Sequence, residues 1–139
     1  IVKEFKSLGL KPYANQSYLQ TFNYKVKINP HSTDASSDKA NSGTNVIAFL
    51  DNKASKTIVI GAHYDHLGLN EHNHSTKPNS HGEIHNGADD NASGVAAVLE
   101  LARMFSQNKT KENVNYIFAF PFMTVLKLIY QIILNIMNQ

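Results

Sequence analysis

The fold of this chain is decided by KTIVIGAHYDHLG (56–68), IHNGADDNASGVAAVLELARMFS (84–106) and VNYIFAF (114–120). The first segment begins with a mainly apolar run (56–62), and the third is such a run throughout (114–120). Runs of this kind are typical of strands buried on both faces. Between them, residues 92–106 repeat apolar side chains at helical spacing. A strand, a crossover helix and a second strand form a βαβ unit. We therefore predict an α/β fold with a mixed, mainly parallel sheet flanked by helices.

The N-terminal third predicts further elements of the same fold. From apolar spacing, alternation and turn composition, these elements are a helix over 1–10 that stops at Gly9, a strand over 17–28, a polar loop over 30–43 and a strand over 44–50. Composition then divides the chain into an N-terminal part (1–43), a core (44–120) and an apolar tail (121–139).

Composition excludes several classes of protein. The chain has 139 residues, enough for one domain with an ordinary core, and its 42% hydrophobic and 17% charged residues exclude a disordered chain. Its net charge is +2 and its Lys and Arg residues do not cluster, so we expect no nucleic-acid partner. It has no Cys, so a metal ion here must be held by His, Asp or Glu.

Two polar clusters flank the predicted crossover. His63 and Asp65 follow the first strand, and Asp89 and Asp90 precede the helix. Chemistry in parallel sheets lies beyond the carboxyl ends of the strands, where both clusters should meet. Imidazole is a zinc ligand, a nearby carboxylate can orient it, and a carboxylate can bridge paired metal ions that serve hydrolysis. An Asp or Asn at a helix start is equally explained as a cap, so Asp89 and Asn91 keep that alternative.

The two motifs together resemble a known family. IVIGAHYDHLG (58–68) and IHNGADDNASGVAAVLELAR (84–103) closely resemble the M28 family of zinc metallopeptidases, which are mostly aminopeptidases with two co-catalytic zinc ions. The resemblance runs from about 44 to 120. The related M20 peptidases also use H-x-D, but their second motif reads Asp-x-Lys-Gly, unlike 89–94 here. The resemblance implies a zinc-peptidase fold of the phosphorylase/hydrolase type, present here in incomplete form.

The resemblance also implies roles for individual residues. His63 matches a ligand of one zinc ion, and Asp90 matches the carboxylate that bridges both. Asp65 matches the family's non-ligating catalytic carboxylate, which supports the histidine, and Asp89 a hydrogen-bonded neighbour. The family often has a cis peptide bond after the bridging Asp, which here is Asp90–Asn91.

The sequence departs from the family after residue 120. There the family reads roughly Ser-Gly-Glu-Glu, where the first Glu is the general base and the second binds zinc, and later residues add an acidic ligand and a His. This chain continues PFMT (121–124), and no Asp, Glu or His occurs from 113 onward. We therefore expect weak zinc binding and, without the base, a loss of about 10²–10⁴-fold in rate. We expect 121–139 to be out-of-frame or otherwise non-homologous, and other reading frames should then recover Gly-Glu-Glu.

Two segments keep alternatives open. The tail 121–139 carries one polar stripe at helical spacing and could pack on the open sheet as a helix, whereas Lys127 and Gln131 argue against a membrane span. Six of the seven histidines lie between 63 and 85. They indicate either metal scavenging or, as is commoner for histidines in polar loops, a solvated loop near the rim of the site.

The functional expectation follows from the resemblance. We interpret the chain as the N-terminal part of an M28-like zinc aminopeptidase acting on peptide or protein N-termini, truncated and inactive or nearly inactive. One alternative is a non-catalytic M28-like protein-binding module, and another is a single-zinc acyltransferase of the glutaminyl-cyclase type. No signal peptide is visible, and the resemblance favours a secreted or periplasmic protein.

Overall fold

The structure, a computed structural model, describes residues 1–13, 17–26, 39–71 and 75–122. It contains a five-stranded sheet with one long helix against one face. The elements in chain order are α1 (Val2–Ser7), β1 (Lys11–Pro12), β2 (Leu19–Val26), β3 (Lys39–Leu50), β4 (Thr57–Gly61), α2 (Ser93–Gln107) and β5 (Asn115–Phe120).

The sheet is mixed. The strand order is β1-β3-β5-β4, and β2 also pairs with β3. β3 is antiparallel to β1, β2 and β5, whereas β4 and β5 are parallel neighbours joined by α2. The predicted α/β class, the mixed sheet and the βαβ unit are therefore confirmed. Among the described strand pairs, three are antiparallel and only β4 with β5 is parallel, so the described part of the sheet is not mainly parallel as predicted. The predicted helix over 1–10 is confirmed as α1, after which Gly9 takes a positive φ of 69°.

β3 is longer than the sequence predicted. Residues 39–43 were predicted as loop, but they form the first part of this strand, paired with 22–26 of β2. An antiparallel partner can hold polar residues in a ladder because the ladder is made by main-chain groups, and Ala40 and Ser42 of this part are exposed. The prediction for 39–43 was wrong for that reason. Residues 30–38 of the predicted loop lie outside the described part of the chain.

The core lies between α2 and one face of the sheet. Every side chain of β5 is buried, as predicted for this strand. The largest cluster is built from α1, α2 and alternate residues of the sheet: Phe5, Leu10, Val46, Ala48, Ala62, Val98, Ala102, Tyr116, Phe118 and Phe120. A smaller cluster of Ile47, Ile117 and Ala119 lies on the opposite face.

β4 is not buried on both faces, contrary to the sequence prediction. Ile58 is 46% exposed and Val59 is 37% exposed. β4 ends the strand order, so within the described residues only β5 flanks it. A run of apolar residues predicts a strand, but it does not indicate whether that strand is central in the sheet or at its edge.

Part of the sequence interpretation falls on residues that are not described. The tail beyond residue 122, with its predicted helical stripe, lies there, as do His72 and His74 of the histidine-rich loop. None of the helices in the described ranges has the length and apolar character needed to cross a bilayer.

Candidate metal centre

The end of β4 sets the position of His63. The parallel ladder continues past the strand, since the Ala62 N–H donates to the Ala119 carbonyl at 3.2 Å and the Tyr64 N–H donates to the Pro121 carbonyl at 3.3 Å. This places His63 at the carboxyl end of the parallel pair, where the sequence argument expected the chemistry.

The imidazole of His63 contacts one Asp through each nitrogen. Nδ1 lies 3.1 Å from the main-chain oxygen of Asp65 and 3.6 Å from its Oδ1. Nε2 lies 2.9 Å from Oδ1 of Asp90. The structure thus brings together the two side chains that the sequence proposed as zinc ligands. For Asp65, the atom at hydrogen-bond distance from the ring is its main-chain oxygen rather than its carboxylate.

Asp90 lies in an irregular turn, Ala88–Ala92, that leads into α2. The backbone at Asp90 and Asn91 is not helical, and the peptide bond between them is cis, as the family resemblance implied. The side chain of Asn91 caps α2 by accepting a hydrogen bond from the Gly94 N–H at 3.2 Å. The capping role therefore belongs to Asn91, and the Asp90 carboxylate remains 86% exposed toward the rim.

Gly87 allows the turn to approach the end of β4. Its φ is 63°, a left-handed value that favours glycine, and the backbone of Ala92 closes the turn by donating to the Gly87 carbonyl at 2.9 Å. A Cβ at Gly87 would lie 2.9 Å from the Cβ of His66. The two ends of the loop between the motifs therefore touch, which holds Asp90 near His63.

The contact between His63 and Asp90 fits a metal half-site. When Nδ1 of a neutral ring donates to the Asp65 carbonyl, Nε2 has only a lone pair to offer. A lone pair and a carboxylate oxygen 2.9 Å apart need a proton or a cation between them. Imidazole and carboxylate are both donors that zinc takes in proteins. The two residues therefore fit zinc as a pair of ligands.

The pair is not a complete site. Within the described ranges, no group of three or more His, Asp or Glu side chains comes together that could hold a metal ion. Zinc sites in proteins have three or four protein ligands, which is more than this pair supplies.

The described histidines of the loop 66–85 do not supply the missing ligand. The ring of His66 accepts a hydrogen bond from the Gly68 N–H at 2.8 Å, and His81 is exposed. His85 donates its backbone N–H to the Gly68 carbonyl at 2.8 Å, which closes the loop on itself. The described part of the loop thus forms no metal-scavenging cluster.

Sequence reasoning missed two residues that hold the rim together. The Tyr64 hydroxyl donates to the Thr44 carbonyl at 2.5 Å, and burial, followed by the nearby Asp65 carboxylate, raises the pKa of Tyr64. The buried Asn45 accepts a hydrogen bond from the Phe122 N–H at 3.0 Å. A polar residue inside an apolar strand was the available signal for Asn45.

Comparison with known proteins places these residues in one matched region. The family model described as peptidase family M28 matches residues 45–121, a range that contains His63, Asp65 and Asp90. The uncharacterized protein YfbL of Escherichia coli K12 is 40% identical over 73 residues, which are 52% of this chain and 20% of that protein.

Solved structures share the fold. A glutaminyl cyclase from Porphyromonas gingivalis is similar with a TM-score of 0.59 and 25% identity, covering 86% of this chain and 35% of that enzyme. A Zn-dependent exopeptidase from Parabacteroides distasonis is similar with a TM-score of 0.53 and 24% identity, covering 85% of this chain and 34% of that enzyme. The chain thus spans about a third of these structures and a fifth of the curated relative.

Proposed function

Because the chain belongs to peptidase family M28, we propose that His63 and Asp90 are two ligands of a zinc site for the hydrolysis of peptide bonds at peptide or protein N-termini. The observation that carries the proposal is the 2.9 Å contact between Nε2 of His63 and Oδ1 of Asp90. The two residues come from separate motifs, and a shared cation explains why an imidazole and an exposed carboxylate converge at this rim.

The residues around the site have separate roles in this proposal. Bound zinc would polarise the scissile carbonyl and activate water. The main-chain oxygen of Asp65 orients His63 by accepting from Nδ1, which leaves Nε2 directed at the site. Asn91 and Gly87 fix the turn that carries Asp90.

The 139 residues themselves should have negligible peptidase activity. The family's general base and three further ligands match no Asp, Glu or His, since none occurs from residue 113 onward. Lack of a positioned base costs about 10²–10⁴-fold in rate, and a two-ligand site holds the metal weakly.

Two measurements test the proposal. Zinc affinity, measured by competition with a colorimetric chelator, should fall in His63→Ala and in Asp90→Asn but not in Glu71→Gln, an exposed acid of the adjoining loop. Equal affinity in all four proteins would contradict the ligand assignment. Aminoacyl-nitroanilide hydrolysis with added Zn²⁺ should not exceed that of His63→Ala. Metal-dependent turnover well above this control would contradict the expected inactivity.

A glutaminyl-cyclase type of acyl transfer is a second candidate. It is supported by the likeness to the Porphyromonas gingivalis enzyme, at 25% identity and a TM-score of 0.59. Parallel assays with N-terminal glutaminyl peptides and with aminoacyl-nitroanilides separate the two chemistries in any chain that carries the remaining ligands.

A non-catalytic binding module is a third hypothesis. It requires a chain that folds and melts cooperatively with no response to zinc, so thermal melts with and without the metal distinguish it from a metal site.

A secreted or periplasmic location, favoured by the family resemblance, belongs to the same proposal as the aminopeptidase activity.

A further inference from the structure

The turn that carries Asp90 is preceded by a reactive pair of residues, Asn86 and Gly87. Asn86 is the only asparagine among the 139 residues that is followed by glycine. In such a pair the main-chain nitrogen of the glycine can attack the side-chain amide carbon of the asparagine. Glycine has no side chain to shield this nitrogen, and its backbone reaches conformations that other residues avoid. The sequence therefore makes Asn86 the asparagine best suited to spontaneous loss of its amide.

The structure leaves both reacting groups of this pair unengaged. Within the described ranges, the exposed Asn86 side chain makes no hydrogen bond, and the Gly87 N–H donates to no acceptor. The carbonyl of Gly87 does accept a hydrogen bond from the Ala92 N–H at 2.9 Å, but this bond fixes the chain after the reacting nitrogen, not before it. Because the attack joins atoms of two neighbouring residues, no other part of the protein is needed for it.

Other described asparagines are restrained or have a different neighbour. The side-chain amides of four of them donate or accept hydrogen bonds: Asn52, Asn70, Asn91 and Asn115. Asn79 lies in the same loop as Asn86 and is also exposed, but Ser80 follows it. Asn79 is therefore an internal control that differs from Asn86 in the residue supplying the attacking nitrogen.

We propose that Asn86 is a site of spontaneous deamidation that alters the candidate metal centre. The Gly87 nitrogen forms a bond to Cγ of Asn86 and gives up its proton. By way of water, a proton passes to the side-chain nitrogen, which leaves as ammonia, and a five-membered imide remains. Water then adds to one of the two imide carbonyls and breaks its bond to nitrogen. Opening at Cγ gives aspartate, and opening at the main-chain carbonyl gives isoaspartate.

The isoaspartate product changes the path of the main chain at the tightest point of the turn. Its main chain runs through the former side chain and is one carbon longer before Gly87. Gly87 has a φ of 63°, and a Cβ there would lie 2.9 Å from the Cβ of His66. A longer chain at this point loosens that approach, so Asp90 is no longer held against His63. The effect on metal binding rests on the proposed function, whereas the reaction itself does not.

Incubation of the full chain in heavy-oxygen water at mildly alkaline pH tests the reaction. Mass spectrometry should find the label in aspartate and isoaspartate at position 86, gained several-fold faster than at Asn79. Proteolytic cleavage after Glu83 separates the two asparagines for this comparison. Asn86→Gln is the control and should gain no label at this position, because glutamine must close a larger ring. Labelling of Asn86 no faster than that of Asn79 would overturn the proposal.

Metal-free NMR tests the effect on the site without relying on zinc. The deamidated fraction is isolated by ion exchange, and the imidazole signals of His63 are assigned with His63→Ala. These signals should move in the deamidated fraction, because the contact of Nε2 with Asp90 is lost. They should stay in place in Asn86→Asp, which adds the same charge without lengthening the main chain. Identical His63 signals in the deamidated fraction and in Asn86→Asp would overturn the proposed effect.

Zinc affinity then distinguishes this proposal from the proposed function. By chelator competition, the deamidated fraction should bind zinc several-fold more weakly than Asn86→Asp, and the incubated Asn86→Gln protein should match the fresh chain. Equal affinity in the deamidated fraction and Asn86→Asp would contradict the coupling to the metal centre. Failure of the proposed function instead appears in fresh protein, as zinc affinity that His63→Ala leaves unchanged.

Discussion

Gly87 shows how much one missing side chain contributes to the site. It has a φ of 63°, and a Cβ there would lie 2.9 Å from the Cβ of His66. Gly68 has a similar φ of 57° but no heavy atom within 4 Å of its Cβ position. The two glycines therefore carry the same backbone requirement and differ only in the space beside them.

Alanine substitution at Gly87 and at Gly68 separates the cost of the left-handed backbone from the cost of the steric contact with His66. Both substitutions should lower the free energy of unfolding by about 1–2 kcal/mol, the cost of a left-handed residue. Gly87→Ala should lose about 1–3 kcal/mol more, because its methyl group meets His66. Urea denaturation of both variants measures the difference, and equal losses would show that the loop ends are not in close contact.

Asp51 makes a pH-dependent contribution to stability. Hydrogen bonds from the Lys53 ammonium and then from the Lys53 backbone N–H lower its pKa from 3.8 to about 2. A carboxylate with a lowered pKa in the folded state stabilises the fold above its unfolded pKa, and this contribution is lost as the pH falls from about 4 to about 2.

Replacing Asp51 by Asn should make the protein less sensitive to acid. The difference between the urea midpoints at about pH 5 and about pH 2.5 should be smaller in Asp51→Asn than in the unmodified chain. Glu71→Gln, which removes the same charge from an exposed position, is the control. An acid response identical to the unmodified chain would contradict the role of Asp51.

At the scale of elements, Asn45 ties β3 to the chain that follows β5. Its Oδ1 accepts from the Phe122 N–H and its Nδ2 donates to Oε1 of Gln20, both at 3.0 Å. Asn45→Ala should lower the free energy of unfolding by about 1–3 kcal/mol, because it leaves the partly buried Phe122 N–H without its partner. Denaturant unfolding measures this loss. Thr21→Ala, which removes an exposed hydroxyl contact with Thr44 on the same strand pair, should change stability by less than about 0.5 kcal/mol.

The elements near the site could be predicted because their sequence periods are strong. β4, α2 and β5 begin and end within one residue of the predicted bounds. The first part of β3 could not be predicted, because residues 39–43 are polar and become a strand only through pairing with β2. The edge position of β4 depends on which strands flank it, and local composition contains no information on that.

Like the elements, the candidate site could be predicted only in part from the sequence. The convergence of His63 and Asp90 followed from two motifs at the two ends of the connection between β4 and α2, beyond the carboxyl end of β4. Asn45 stands out as a polar residue in an apolar strand, but its partner Phe122 lies 77 positions away, and no local pattern identifies that partner. The orientation of His63 by a main-chain oxygen, rather than by the Asp65 carboxylate, also needed coordinates.

At the scale of the whole molecule, the incomplete set of zinc ligands can be extended by substitution. The backbone of Tyr64 bonds Pro121, so the chain passes the rim beside His63 as it leaves β5. In the sequence, Met123 and Thr124 stand where the family resemblance implies the Glu-Glu pair. Because four-ligand sites reach about 10–16 kcal/mol in total, each added ligand should raise zinc affinity by more than about tenfold.

The double variant Met123→Glu, Thr124→Glu tests this expectation. Its zinc affinity, from chelator competition, should exceed that of the unmodified chain, and adding His63→Ala should remove the gain. A gain that persists without His63 would show that the new carboxylates bind metal elsewhere.

The closed base of the loop between the two motifs has a practical consequence. His66 and Gly87 are in contact, and the His85 N–H donates a hydrogen bond to the Gly68 carbonyl. The loop between them therefore begins and ends at nearly the same place on the sheet. Residues 71–79, which lie between the buried and hydrogen-bonded Asn70 and Ser80, can therefore serve as a site for a graft: a foreign epitope or sensor peptide placed there would be displayed next to the rim without removing the contacts at the base of the loop.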